Sequence, residues 1–101
     1  MVTSHIKAIS GTGGLYFGDL LSGKPTYEIQ VTRENGETKV FGHFDGKPRV
    51  LRMQVTLDPS LTLKSGKRIK LRILGNPASD HVEFDVVDDA SIRICEEEEA
   101  D

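Results

Sequence analysis

Residues Tyr27–Phe44 read YEIQVTRENGETKVFGHF, two alternating runs joined at Asn35-Gly36. Asn-Gly at the centre of a two-residue loop is the strongest short-range hairpin signal, because both residues accept the positive φ of a type I′ turn. Folding there, with Glu34 opposite Glu37, sets Val31 opposite Val40, Ile29 opposite Gly42 and Tyr27 opposite Phe44. These positions make one apolar face. The other face pairs Thr32 with Lys39, Gln30 with Phe41 and Glu28 with His43. A slip of one residue would mix the two sets, so the pattern specifies its own register.

The same alternation extends outward in both directions. From Val2 to Ile9 it places Ile6 and Ala8 on one face and His5 and Lys7 on the other, until Gly11-Thr12-Gly13-Gly14 interrupts as a turn or bulge. Leu15 to Leu20 reads as a short strand, and Ser22-Gly23-Lys24-Pro25 turns the chain into the hairpin. After it, Asp45-Gly46 is a second hairpin signal, which would lay Arg49–Leu57 beside Glu37–Phe44. Lys64-Ser65-Gly66 fits a three-residue loop closed by a left-handed glycine, with Leu61 opposite Ile69. Lys67 to Leu74 turns Ile69, Leu71 and Ile73 inward and Arg68, Lys70 and Arg72 outward. Val82, Phe84 and Val86 line the next inner face, and Ile92 and Ile94 end the patterned region.

No window of about 11 residues carries apolar side chains at helical spacing. The expected fold is therefore all-β: a single antiparallel domain of about seven strands over residues 1–95, built as a small meander barrel or a two-sheet sandwich. An OB barrel ranks below a simple meander, since Asp58–Gly66 leaves little room for its usual helix. The run Glu96–Glu99 lacks apolar anchors, so residues 96–101 are expected to be a disordered acidic tail.

Composition sets the compartment and the partners. With 37% hydrophobic residues and no Trp, the core must rest mainly on Val, Ile and Leu. The single cysteine, Cys95, cannot form an intrachain disulfide. Met1–Ser10 has no apolar signal-peptide segment, and nothing approaches the ~18 consecutive apolar residues of a membrane span. A cytoplasmic location without membrane contact is expected. Charge is segregated: residues 47–79 hold eight basic side chains and one acidic, whereas residues 80–101 hold one basic and ten acidic.

Arg68, Lys70 and Arg72 could track a nucleic-acid backbone. Folding residues 75–80 as a hairpin, however, sets Arg72 opposite Glu83 and Lys70 opposite Asp85, which would neutralise most of the stripe. The Gly11–Gly14 run lacks the following helix that a phosphate-binding loop needs, and Gly23-Lys24 is followed by Pro25. His81, Glu83 and Asp85 share a strand face, but without a second histidine or nearby cysteine they do not make a metal site. Cys95 lies beside four glutamates, which disfavour its thiolate. No catalytic residue, metal or cofactor is expected. Phe41 is anomalous: it lies on the polar face between Lys39 and His43, either as a partner-binding anchor or under a second layer. The expected function is a non-enzymatic protein-interaction module that uses Phe41, His43 and Arg52. The alternative is a nucleic-acid-binding β-domain that uses Arg68, Lys70 and Arg72.

Overall fold

A computed structural model describes residues 3–46, 58–75 and 80–98. Among these residues, nine strands form two antiparallel sheets, and one short helix follows. The strands are β1 (Thr3–Thr12), β2 (Leu15–Phe17), β3 (Leu20–Gly23), β4 (Thr26–Glu34), β5 (Glu37–Asp45), β6 (Pro59–Thr62), β7 (Arg68–Lys70), β8 (Arg72–Leu74) and β9 (His81–Val86), and the helix is α1 (Asp89–Glu97). One sheet has the order β1-β4-β5-β9-β8 and the other β3-β2-β6-β7. The sandwich expectation holds, and no closed meander barrel forms among the described residues.

The β4–β5 hairpin has the register read from its sequence, from Thr26 opposite Asp45 to Glu34 opposite Glu37. Its turn residues Asn35 and Gly36 have φ of 53° and 80°, the left-handed pair that a type I′ turn requires. Tyr27, Ile29, Val31, Val40 and Phe44 are buried from this hairpin. The 64–66 turn also forms as expected: Leu61 pairs with Ile69, and the Leu63 N–H donates to the Lys67 carbonyl at 2.7 Å.

Two of the passages between the sheets are tight corners, one at the Gly11–Gly14 interruption and one within the expected continuous strand Lys67–Leu74. At the first, β1 leaves the five-stranded sheet and β2 enters the four-stranded one through Gly13-Gly14. A Cβ on Gly13 would lie 1.7 Å from the Thr62 carbonyl oxygen, so only glycine allows this approach. The second corner is buried Leu71, which separates β7 from β8 and whose N–H donates to Pro59 O at 3.0 Å. Strands that switch sheets at bends in this way are a common means of closing two packed layers. The expected single strands Leu15–Leu20 and Lys67–Leu74 are each broken, the former by a turn at Gly18-Asp19.

Between the layers lie Phe17, Leu15, Ile9, Ile29, Leu61, Ile69 and Val82, with Phe44 and Phe84 stacked at 6.0 Å between ring centroids. β1 departs from simple alternation. A register shift between His5 and Lys7 leaves Ile6 exposed and sets Lys7 opposite the core residue Val31. A bulge of this kind re-aims the side chains that follow it.

Residues 89–97 are helical, which departs both from the strand pattern ending at Ile92 and Ile94 and from a tail beginning at Glu96. The helix is shorter than the window in which helical periodicity can be counted. Asp88 caps it, accepting from the Ser91 N–H and hydroxyl, each at 3.0 Å. Ser91 and Cys95, one turn apart, are its buried residues. The Ser91 hydroxyl in turn accepts from the Lys70 N–H at 2.9 Å, which satisfies a donor on the edge strand β7. No basic residue lies in the last turn, where the helix dipole favours a cation. Lys7 supplies one from β1: its ammonium donates to the carbonyls of Glu96 and Glu98. Residues 99–101 lie outside the described residues.

Candidate functional site

The outer face of the five-stranded sheet is ordered by register into rows. One row runs Ala8, Gln30, Phe41, Asp85, Arg72, and the next Ser10, Glu28, His43, Glu83, Leu74. A third contains Thr12, Thr26, Asp45 and His81. Phe41 stands exposed (44%) in the middle of this face, with Leu74 and Val87 also exposed. No second layer covers it among the described residues.

Around Phe41 lies a groove of about 840 Å³ that runs from the β4–β5 hairpin to the start of α1. Its ion pairs leave an acidic remainder. Lys39 pairs with Glu37 at 3.3 Å. Arg72 forms a two-pronged pair with Asp85, its Nε donating to Oδ1 at 2.8 Å, and this contact raises the guanidinium pKa. Glu34, Glu83 and Asp89 line the same groove, and no ion pair claims them among the described residues.

At the lower end of the face, three side chains converge. His43 and Asp45 are two apart on β5, so they project to the same side, and Asp45 is the cross-strand partner of His81 on β9. The carboxylate sits between the imidazoles: Oδ1 is 2.6 Å from His81 Nδ1 and Oδ2 is 3.3 Å from His43 Nε2. The two rings lie 4.5 Å apart between centroids, at an interplanar angle of 33°.

Of the residues expected to bind a partner, Phe41 and His43 both line the groove, while Arg52 lies outside the described residues together with the rest of 47–57. From Val40 to Asp45, β5 is flanked by β4 on one side and β9 on the other; Arg49–Leu57, expected beside Glu37–Phe44, lies outside the described residues. The far wall of the groove comes from β8, β9 and the start of α1.

The basic stripe is divided. Arg68 and Lys70 belong to the four-stranded sheet and Arg72 to the five-stranded one, because the chain changes sheets at Leu71. The hairpin register is displaced by two residues from the expected one: Arg72 faces Asp85 rather than Glu83, and Lys70 faces Ser60 rather than Asp85. Face polarity survives a two-residue shift, so sequence alternation could not detect it. Arg68 lies over the Tyr16 ring at 3.9 Å, and Lys67 approaches Glu97 at 4.0 Å.

Cys95 is buried, and its thiol is pushed up to about 12, first by burial and then by the carboxylate of Glu98, with Lys7 opposing. No helix among the described residues is long and apolar enough to cross a membrane. Comparison with known proteins finds no matching family model, no similar curated protein and no similar solved structure, so the reading of this site rests on its own geometry.

Proposed function

We propose that this protein is a non-enzymatic docking module whose groove around Phe41 receives a basic segment of a partner protein bearing an apolar anchor. The observation that carries this reading is the exposed aromatic at the centre of a groove with an acidic remainder: Glu34, Glu83 and Asp89 have no ion pair among the described residues. Aromatic side chains in desolvated pockets dominate interface energetics, while charge complementarity around them selects the partner. The acidic remainder also repels a phosphate backbone from this face. The groove walls are strands held by neighbours, so the surface is largely pre-formed, which lowers the ordering cost of binding. A non-enzymatic role is supported by the single thiol being buried and held protonated. A cytoplasmic setting is proposed from that one unpaired cysteine.

Selection from a random peptide library displayed on phage, carried out in chelator, tests the proposal. The full chain should enrich sequences with Lys or Arg flanking an apolar residue. Phe41→Ser should abolish enrichment, and Glu83→Lys with Asp89→Lys should shift the preference to acidic peptides. Enrichment that survives Phe41→Ser, or no enrichment at all, overturns the proposal.

A further inference from the structure

We propose that His43, Asp45 and His81 form a surface site for a divalent transition-metal ion of the zinc class. The site adjoins the docking groove, which His43 also lines, and rests on different observations.

Two imidazoles and one carboxylate suit Zn²⁺ and its neighbours among the first-row transition metals, whereas Mg²⁺ and Ca²⁺ favour all-oxygen shells. One ligand atom from each residue lies within 4.8 Å of the other two. Metal–ligand bonds of ~2.0–2.1 Å at tetrahedral angles place ligand atoms about 3.3 Å apart. His43 Nε2 and Asp45 Oδ2 are already at 3.3 Å. The closer contact, 2.6 Å from Asp45 Oδ1 to His81 Nδ1, is a hydrogen bond that metal binding would replace. Binding needs that pair to open by about 0.7 Å to reach the tetrahedral spacing, with the carboxylate turning to offer one oxygen to the ion.

The backbone prepares this arrangement. β5 lies between two paired strands, which fixes His43 and Asp45 on one face, and register fixes His81 across from Asp45. Just beyond the site, the Gly46 N–H donates to the Asp80 carbonyl at 3.1 Å and ties the two chain segments together. Ligands on paired strands are held more accurately than ligands on loops. The field is favourable as well: Glu28 and Glu83 flank His43 in its row, and both are acidic and exposed. The three side chains keep about a third to a half of their surface exposed (31%, 50% and 53%), so water can reach the remaining coordination positions. Three protein ligands with open positions is the composition of an accessible site rather than of a closed structural one.

Calorimetric titration of zinc chloride into the full chain near neutral pH tests the assignment. One equivalent should bind, and Asp45→Ala and His81→Ala should each weaken binding by about tenfold or more. His5→Ala, at the remaining histidine of the chain on β1, should leave it unchanged. Imidazole ¹H–¹⁵N spectra of the unmutated protein give a readout that needs no folded variant: zinc should move the His43 and His81 resonances together and spare His5. Absence of saturable binding, affinity that survives His81→Ala, or ring shifts confined to His5 would overturn the proposal. Failure of peptide selection in chelator would leave this result untouched.

Discussion

At the residue scale, two glycines serve different physical ends. Gly36 has a φ of 80°, and a Cβ added there would meet no atom within 4 Å, so alanine costs only the left-handed backbone, about 1–2 kcal/mol. Gly13 has the opposite problem: the obstacle is the backbone oxygen of Thr62, which no side-chain rotation removes. Gly13→Ala should therefore destabilise the fold more than Gly36→Ala, by roughly 1–3 kcal/mol or more, the range for overpacking. Urea denaturation of both variants checks the order. Equal midpoints would mean that the sheet corner shifts freely. The Asn35-Gly36 dipeptide carries its conformation in its own chemistry and is legible in sequence. Gly13 reads only as an interruption, since its neighbour Thr62 is supplied by tertiary structure.

At the element scale, α1 is held by what surrounds its C-terminal end. Its last turn contributes Glu96 and Glu97 where the dipole disfavours anions, and Lys7 from β1 offsets this by binding the terminal carbonyls. The buried Cys95 reports whether the helix stays docked. With its thiol pushed up to about 12, it should be inert to Ellman's reagent at mildly alkaline pH in the native protein and reactive once unfolded. Lys7→Met should raise the native reaction rate, by letting the helix end fray and expose the thiol. Because the folded pKa lies above the ordinary thiol value of 9.0, the contribution of Cys95 to stability is intact below 9.0 and is lost as pH rises towards 12. A Cys95→Ala variant should lack that alkaline loss in denaturation midpoints. Identical reactivity of native wild type and Lys7→Met would separate the lysine from the docking of the helix. Sequence reading missed this element because Ile92 and Ile94 also fit period two, while the two buried positions, Ser91 and Cys95, are small and only weakly apolar. The signal that was present is Asp88, with Ser91 three residues on, a capping pair at the helix start.

At the scale of the whole molecule, segregation of charge along the chain does not become segregation in space among the described residues. Among the described residues of the basic segment, Lys67 approaches Glu97, Arg72 pairs with Asp85 and Arg68 covers Tyr16, on two different sheets. Exposed attraction of this kind is screened within ~8–10 Å at physiological salt. The chain should therefore bind labelled single- or double-stranded oligonucleotides only weakly, with residual binding lost as salt rises. Submicromolar affinity at physiological salt, abolished by charge reversal at Lys70 and Arg72, would reverse the ranking in favour of nucleic acid. Intact phosphate contacts would each add nearly one unit to the salt slope.

Local chemistry alone determined the all-β class, the β4–β5 register, the 64–66 turn and the inward faces of β7, β8 and β9. Each depends on neighbours a few residues apart and on the strict two-residue alternation of a strand. Tertiary structure decided what alternation leaves open. It set β9 beside β5 along Val40–Asp45, and that pairing brings His81 to His43 and Asp45. It also set where strands change sheets, which divides the basic stripe at Leu71. Any apolar strand face can cover any other of similar size, so sequence pattern fixes which side of a strand is buried. Which strand lies beside it is settled only when all the edges compete for partners at once.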